Sequence, residues 1–298
     1  MQDIVSYGFT TIANNDNMNQ NEPKYLIVPA AGLGTRMKSV NPDLPKELLP
    51  VGKKPAIQYA VEEGLSAGIK NIIIIISRQK EIIRKYFEDE KISSTLFPGA
   101  ADDMKGILRN VFFHFLYQKE PLGEADAIQY AAGISGKNAV AVMYPDNIYL
   151  PSPGAMKIIK SVYMKFRHDV TALTSVPDDL APAISNSGRV DITPVEENLF
   201  NIENFIPKGQ GHFVPRFRGE LRASGIYICG PHLFEYINKA RGKIQEGEFT
   251  DTPVRNIILK ERTMLGYHVP GTVYDIGNPQ GYELCLKNIQ EKHFRSDE

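Results

Sequence analysis

The sequence contains two cysteines, no tryptophan and no excess of charge of either sign. Cys229 and Cys285 are too few for a disulfide framework or a four-thiolate zinc site, so a reducing cytoplasmic setting is the default expectation. The 34 Lys and Arg residues nearly balance the 35 Asp and Glu residues, for a formal net charge of −1. A chain whose main partner is nucleic acid usually carries a basic excess, so the composition argues against nucleic-acid binding.

Long hydrophobic runs are also missing. The longest aliphatic run, Ile72 to Ile76, is far shorter than the ~20 apolar residues that cross a bilayer. Residues 1–23 lack the basic-then-apolar order of a signal peptide. They form a polar, Asn-rich segment that we interpret as a loosely ordered tail, with a dimer-contact arm as the alternative. The sequence therefore predicts no membrane association.

The remaining chain has the composition of a globular protein. Hydrophobic residues make up 42% and charged residues 23% of the sequence, which argues against disorder. The length allows one large domain or two small ones. We find no internal repeat, flexible linker or clear boundary, and we therefore expect a single domain over residues 24–298.

Short apolar runs alternate with helix-like stretches from Lys24 onward. Residues 25–30 and 71–77 have the pattern of strands, and residues 55–68 between them have helical spacing and end at a glycine. A continuous isoleucine run suits a strand covered on both faces, as in parallel sheets. The alternation continues with two further strand candidates and one helix candidate, at 111–117, 138–145 and 124–133. The pattern predicts an α/β fold with a Rossmann-like, doubly wound, mostly parallel sheet.

The second half of the chain is less regular. Residues 170–177 and 223–230 have the pattern of strands, whereas residues 178–222 are rich in Pro, Gly and Asn. We expect the latter stretch to form an elaboration over the edge of the sheet.

A glycine-rich turn, Ala30-Ala31-Gly32-Leu33-Gly34-Thr35-Arg36, directly follows the first strand. Its glycines let the backbone approach a ligand, and its successive N–H groups form a cradle for phosphate oxygens. The turn has neither the third glycine of the dinucleotide-binding fingerprint nor the Gly-Lys-Ser/Thr of a P-loop. A bare strand-to-helix turn without a ligand is the alternative, but the cation of Arg36 just beyond the glycines favours a phosphate site.

A second motif follows ten residues later, where the chain reads PKELLP and then KPAIQY. Together with GLGTR, these motifs resemble the sugar-1-phosphate nucleotidyltransferases, and within them the bacterial UTP–glucose-1-phosphate uridylyltransferases. In that family the three motifs occur in the same order at similar spacing. The resemblance implies that Arg36 and Lys46 act in catalysis. It also implies that the phosphates of UTP bind along the turn, at Ala31, Gly32, Gly34 and Thr35.

The resemblance extends to the base site and the metal site. In related enzymes a Gln and a Gly five residues apart hold the pyrimidine, which Gln118 and Gly123 match, although an exposed strand-end role is the alternative for Gln118. The residue after Gly123 is Glu124 where the family has Leu, and this places a charge near the ribose. Asp146 after a Tyr-Pro pair and Asp275 before Ile-Gly-Asn match the two Mg²⁺ ligands of the family. For each aspartate taken alone, an ordinary turn residue is the alternative.

The acceptor site departs from the family pattern. Gly225 lies in a strand that resembles the one lining the sugar pocket. The family's V-E-K-P motif, in which Glu holds sugar hydroxyls and Lys holds the sugar phosphate, is absent. Residues 201–208 contain Glu203 and Lys208 instead, and we expect these two to act with shifted geometry.

The resemblance implies transfer of a uridylyl group from UTP to a sugar 1-phosphate, most closely glucose 1-phosphate, by Mg²⁺-assisted in-line displacement of pyrophosphate. Transfer from dTTP or CTP to another sugar phosphate is one alternative. A nucleotide-sugar sensor that has lost turnover is another, and the missing Glu-Lys-Pro supports it. Related enzymes often self-associate, so the resemblance also implies a homo-oligomer.

Overall fold

The computed structural model describes residues 22–242 and 247–296, so the predicted tail lies almost entirely outside the described residues. The strands are β1 (Tyr25–Pro29), β2 (Pro50–Val51), β3 (Lys54–Pro55), β4 (Asn71–Ile76), β5 (Phe112–Tyr117), β6 (Val140–Met143), β7 (Asn147–Leu150), β8 (Asp169–Ser175), β9 (Val190–Glu196), β10 (Leu199–Phe205), β11 (Leu221–Cys229), β12 (Met264–His268) and β13 (Thr272–Asp275). The helices are α1 (Ala56–Ser66), α2 (Glu81–Glu88), α3 (Glu90–Leu96), α4 (Ala101–Asn110), α5 (Glu124–Gln129), α6 (Ala132–Ser135), α7 (Ala155–Phe166), α8 (Leu233–Arg241), α9 (Asp251–Leu259) and α10 (Pro279–Ser296).

Nine of these strands form one sheet in the order β5-β4-β1-β6-β11-β8-β12-β10-β9. Parallel pairs join β5, β4, β1 and β6, and another joins β8 to β12. The antiparallel pairings reverse only β11 and β10 relative to the other strands of this sheet. The predicted doubly wound, mostly parallel α/β fold is confirmed.

Strand β4 shows why the isoleucine run belongs in the centre of such a sheet. Ile72, Ile74 and Ile76 pack into one hydrophobic core, while Ile73 and Ile75 pack into a second core on the opposite face. Residues in a strand alternate between faces, so a strand with two covered faces needs apolar side chains at every position. Helices α1, α2 and α7 cover the first face, and α5, α8 and α9 cover the second.

The stretch 178–222 contains more regular structure than its composition suggests. It includes β9, which pairs antiparallel with β10 and forms the last strand of the sheet. It also contains β10 itself and the first two residues of β11, together with turns, one 3-10 turn at Ala181–Ala183 and two isolated bridges. The helix predicted over 124–133 is two short helices, α5 and α6.

A separate two-stranded ribbon of β7 and β13 lies beyond the end of β6. Its antiparallel register places Asp275 opposite Asn147, the residue that follows Asp146. The ribbon therefore joins a segment near the chain's C-terminus to the carboxyl edge of the central strands. Within the described residues, we find no helix with the length and hydropathy needed to cross a membrane.

Candidate active site

A cleft of about 710 Å³ opens at the carboxyl ends of the parallel strands β1 and β6. Open α/β sheets bind ligands at this edge. With the exception of Glu203, every site residue predicted from the sequence lines the cleft: Ala31, Gly32, Gly34, Thr35, Arg36, Lys46, Gln118, Gly123, Asp146, Lys208, Gly225 and Asp275.

The glycine-rich turn forms one wall of the cleft. Gly34 adopts a φ of 62°, in the left-handed region that favours glycine. A Cβ on Gly32 would meet no protein atom within 4 Å, so the space above this backbone is open to a ligand. The chain then continues as a 3-10 turn, Thr35–Ser39, in place of the expected helix.

Lys46 lines the cleft, and its aliphatic stem packs against the glycine-rich turn. Its Cγ would lie 3.4 Å from a Cβ on Gly34. Its Nζ donates to Oδ2 of Asp146 at 2.6 Å. Burial alone would lower the pKa of Lys46, but the charges of Asp146 and Glu47 raise it above its ordinary value.

Asp146 accepts two hydrogen bonds, one of which belongs to an ion pair with Lys46. Oδ1 accepts from the side-chain amide of Asn147 at 3.0 Å, while Oδ2 accepts from Lys46. Burial would raise the pKa of Asp146, but Lys46 and Arg36 hold it below its ordinary value. The carboxylate is therefore ionised and available to a cation at neutral pH.

Asp275 reaches the same point through the β7–β13 ribbon. Its Oδ2 accepts from the backbone N–H of Ser185 at 2.8 Å and its Oδ1 from that of Gly277 at 3.0 Å. A Cβ on Gly277 would lie 2.9 Å from Oδ2 of Asp146 and 3.0 Å from Oδ1 of Asp275. The two carboxylates thus converge on one point, and a side chain at 277 would crowd both.

Arg36 completes this group. Its Nη1 donates to the hydroxyl of Ser185 at 3.0 Å, and its Nη2 would lie 3.6 Å from a Cβ on Gly277. Two carboxylates from distant parts of the chain offer the hard oxygen ligands that divalent cations such as Mg²⁺ prefer. The donor set therefore fits a metal ion shared with a phosphate ligand.

Comparison with known proteins identifies the family. The model of the nucleotidyl transferase family matches residues 25–292. The chain belongs to the nucleotidyl transferase family. Members of this family generally use a divalent metal, in agreement with the two carboxylates. The resemblance inferred from the three motifs is confirmed.

Several relatives of this nucleotidyl transferase carry more specific names. The chain is 31% identical over 278 residues to a UTP–glucose-1-phosphate uridylyltransferase of Staphylococcus epidermidis. The aligned region covers 89% of this chain and 93% of the relative. A crystal structure of UDP-glucose pyrophosphorylase complexed with UDP-glucose matches with a TM-score of 0.75 and 26% identity, over 91% of this chain and 99% of that one. The apo form of a UDP-glucose pyrophosphorylase matches with a TM-score of 0.76 and 27% identity, over the same shares of the two chains.

The predicted base site of the transferase is formed by a tight packing of two loops. A Cβ on Gly123 would lie 2.4 Å from the carbonyl oxygen of Phe249, so only glycine permits this approach. The amide nitrogen of Gln118 donates to the carbonyl of Gly123 at 3.1 Å and to Oδ2 of Asp126 at 2.7 Å. Both donors of this amide are satisfied within the protein, which leaves its carbonyl oxygen as the group for a ligand.

The structure separates the two residues expected near the acceptor phosphate. Lys208 lines the cleft. Glu203 is exposed on β10, outside the cleft lining, and its carboxylate accepts from the hydroxyl of Thr193 at 2.6 Å. Side chains in a strand alternate between faces, and Glu203 lies between Ile202 and Asn204 on the face that points away from the core. Glu203 is therefore not brought together with the other predicted site residues.

Sequence reasoning missed one buried ion pair behind the glycine-rich turn. Lys80 donates to both carboxylate oxygens of Glu47, at 2.8 and 2.7 Å, and to the carbonyl of Ala30 at 2.9 Å. Both side chains are buried. Burial lowers the pKa of Lys80 despite its partner Glu47. Lys80 follows the end of β4, which lies beside the end of β1. This position is the feature that could have indicated a contact with the turn.

Glu124, the unexplained departure at the base loop, contacts helix α9. Its carboxylate accepts from the backbone N–H of Asp251 at 3.3 Å. Asp251 in turn accepts from Tyr144 and from Arg255 at 2.7 Å. Burial and the nearby charges of Asp251 and Glu248 raise the pKa of Glu124 to about 7. The Glu124 carboxylate therefore accepts a hydrogen bond from a backbone N–H at the start of α9, where the first N–H groups have no partner within the helix.

Proposed function

We propose that this nucleotidyl transferase moves a uridylyl group from UTP to glucose 1-phosphate, with UDP-glucose and pyrophosphate as products. The observation that carries the proposal is the convergence of Asp146, Asp275, Arg36 and Lys46 at the end of an open glycine-rich turn. The names of the relatives, UTP–glucose-1-phosphate uridylyltransferase and UDP-glucose pyrophosphorylase, support it.

Charge decides what such a site must do. The phosphate of a sugar 1-phosphate is largely dianionic at pH 7, since its second pKa is about 6. It attacks the α-phosphorus of UTP without a general base, and pyrophosphate leaves in line. The main obstacle is the repulsion between two anions, so catalysis consists of alignment and charge neutralisation.

The cationic side chains divide this work. The backbone N–H groups from Ala31 to Thr35 hold the triphosphate, and Arg36 neutralises its β and γ phosphates. Lys46, whose stem packs against Gly34, would lie between the donor and acceptor phosphates. We propose Mg²⁺ as the divalent ion on Asp146 and Asp275. Such an ion neutralises phosphate charge and orients the reacting oxygens.

Base selection follows from the free acceptor of Gln118. The N3–H of uracil is a donor that this carbonyl oxygen accepts, whereas N3 of cytosine is itself an acceptor. The site therefore favours UTP over CTP. The internal bonds of Gln118 to Gly123 and Asp126 hold the amide in this orientation.

The test is a matrix assay. The protein is incubated with Mg²⁺, one of UTP, dTTP or CTP, and one of several sugar 1-phosphates, and pyrophosphate release is measured. We expect the highest kcat/KM with UTP and glucose 1-phosphate. A preference for dTTP or for another sugar would reassign the substrate, and binding of UTP without pyrophosphate release from any pair would favour the sensor alternative.

Self-association and a cytoplasmic location are part of the same proposal. The resemblance to enzymes that self-associate supports the first. Two free, buried thiols, Cys229 and Cys285, support the second, since the protein relies on no disulfide between them.

A further inference from the structure

Arg222 is a buried cation in the wall of the cleft. It lies in β11 immediately before Ala223, and only 4% of its surface is exposed. Its Nε and Nη1 are buried and have no hydrogen-bond partner. Among the described residues, no carboxylate oxygen lies within 4.0 Å of its guanidinium.

The other arginines that line the cleft are bonded within the protein. Arg189 donates to both carboxylate oxygens of Glu220, at 2.6 and 2.8 Å. Arg255 donates to Asp251 at 2.7 Å, and Arg36 donates to a serine hydroxyl. Arg222 lines the cleft and differs from these three arginines in that both its Nε and its Nη1 are buried without a partner, whereas in Arg255 only Nε lacks one.

A buried charge without a partner is strongly unfavourable, and it persists where function requires it. The acidic groups that act on Arg222 through space are Asp275 and Asp146. Both are the carboxylates that would hold the metal ion. A divalent cation held by these two carboxylates would offset their negative charge at Arg222.

Arg222 packs closely against Gly188. Its Nε would lie 3.4 Å from a Cβ on Gly188, and a Cβ on this glycine would also overlap the carbonyl of Ala223. Gly188, Ala223 and Gly225 also line the cleft. Because the glycine-rich turn is the proposed cradle of the nucleotide phosphates, an anion at Arg222 would belong to the acceptor.

We propose that Arg222 binds the phosphate of the acceptor sugar 1-phosphate and so determines the affinity for the acceptor. The proposal rests on the proposed function. A guanidinium presents its donors in a planar fork that matches a phosphate, so one residue contributes two charge-assisted hydrogen bonds. Arg222 and Lys208 together then supply the positive charge that the family places in Glu-Lys-Pro. An acceptor phosphate held there lies beside Asp146 and Asp275.

The experiment compares Arg222→Met and Arg222→Lys with the exposed control Arg218→Met. Loss of the charged hydrogen bonds raises KM for glucose 1-phosphate about 10- to 100-fold in Arg222→Met. KM for UTP stays within about 2-fold of the wild type, and Arg222→Lys recovers part of the loss. Removal of an unpaired buried charge also raises the melting temperature of Arg222→Met, whereas a merely structural arginine would lower it.

An unchanged KM for glucose 1-phosphate in Arg222→Met, or an equal rise in both KM values, overturns the proposal. A wild-type protein that releases no pyrophosphate from UTP and glucose 1-phosphate contradicts the proposed function instead. In that case calorimetric titration with glucose 1-phosphate still decides the role of Arg222. Binding by the wild type that is lost in Arg222→Met supports it, and equal binding or no binding by either protein overturns it.

Discussion

The Nζ of Lys46 lies 2.6 Å from Oδ2 of Asp146, a residue one hundred positions further along the chain. The ion pair joins the motif after the glycine-rich turn to the proposed metal ligand. Each partner stabilises the charged form of the other, so the pKa of Lys46 is raised and that of Asp146 is lowered. A metal ion held by Asp146 would offset the charge of this carboxylate, which would leave Lys46 available to phosphate oxygens.

Replacement of Lys46 by alanine should lower kcat by roughly 10²- to 10⁴-fold, since a preorganised cation between two phosphates is lost. The exposed Lys38 in the same segment provides the control, and Lys38→Ala should retain activity. Steady-state pyrophosphate release measures both variants. Normal turnover by Lys46→Ala would exclude the proposed role of Lys46 in charge neutralisation.

Replacement of Asp146 by asparagine keeps the shape of the side chain but removes a charge from the metal site. We expect activity to become insensitive to added Mg²⁺ and to fall to background. A titration of pyrophosphate release against Mg²⁺ concentration tests this, with the exposed Asp43→Asn as the control. A Mg²⁺ response like that of the wild type would remove Asp146 from the metal site.

Gly32 offers a test of the cradle that leaves the fold intact. A Cβ there meets nothing within 4 Å, so Gly32→Ala should keep its melting temperature. The added methyl group occupies the space proposed for phosphate, and KM for UTP should rise about 10-fold or more. Gly106→Ala, whose Cβ also meets nothing, is the matched control. Equal KM values for UTP in the two variants would place the triphosphate elsewhere.

Loss of Lys80 leaves the carboxylate of Glu47 buried without a partner. Lys80→Met should reduce the free energy of unfolding by about 3–5 kcal/mol. The double variant Glu47→Gln with Lys80→Met should recover much of that loss, because no unpaired charge then remains. Urea denaturation of the wild type, the two single variants and the double variant measures the coupling. Additive effects of the two substitutions would show that the pair is not coupled.

Glu124 makes stability depend on pH. Burial, with Asp251 and Glu248, raises its pKa in the folded protein from 4.5 to about 7. Between these values the folded state binds a proton that the unfolded state has released, so stability falls as pH rises from about 4.5 to 7. Glu124→Gln should reduce this slope and be more stable than the wild type above pH 7. Denaturant unfolding at pH 5 and 8, with the exposed Glu120→Gln as the control, tests the sign.

Local sequence patterns were sufficient to predict the parallel half of the sheet and the glycine-rich turn that lines the cleft. The isoleucines of β4 and the turn from Ala31 to Arg36 are contiguous, so their periodicity and spacing can be recognised. Asp146 and Asp275 were found through family motifs, although their convergence depends on the β7–β13 ribbon, which local periodicity does not reveal.

The residues that escaped prediction act through contacts between distant segments. No sequence motif contains Lys80, Ser185 or Arg222. The role of each depends on a neighbour that is distant in the sequence. Glu203 was chosen for its chemistry within an irregular match, and strand alternation turned it away from the cleft. These residues are distinguished from other residues of the same type by the burial of a polar or charged side chain. Such burial is visible only in three dimensions.

The β7–β13 ribbon also determines when during synthesis the site becomes complete. A nascent chain that has emerged only as far as α9 already contains the glycine-rich turn, Lys46 and Asp146, but its partner strand for β7 does not yet exist. Such a chain holds one carboxylate where two are needed. If Asp146 and Asp275 hold the metal as proposed, the divalent ion would be retained only after Asp275 has left the ribosome, and products truncated before it would be inactive.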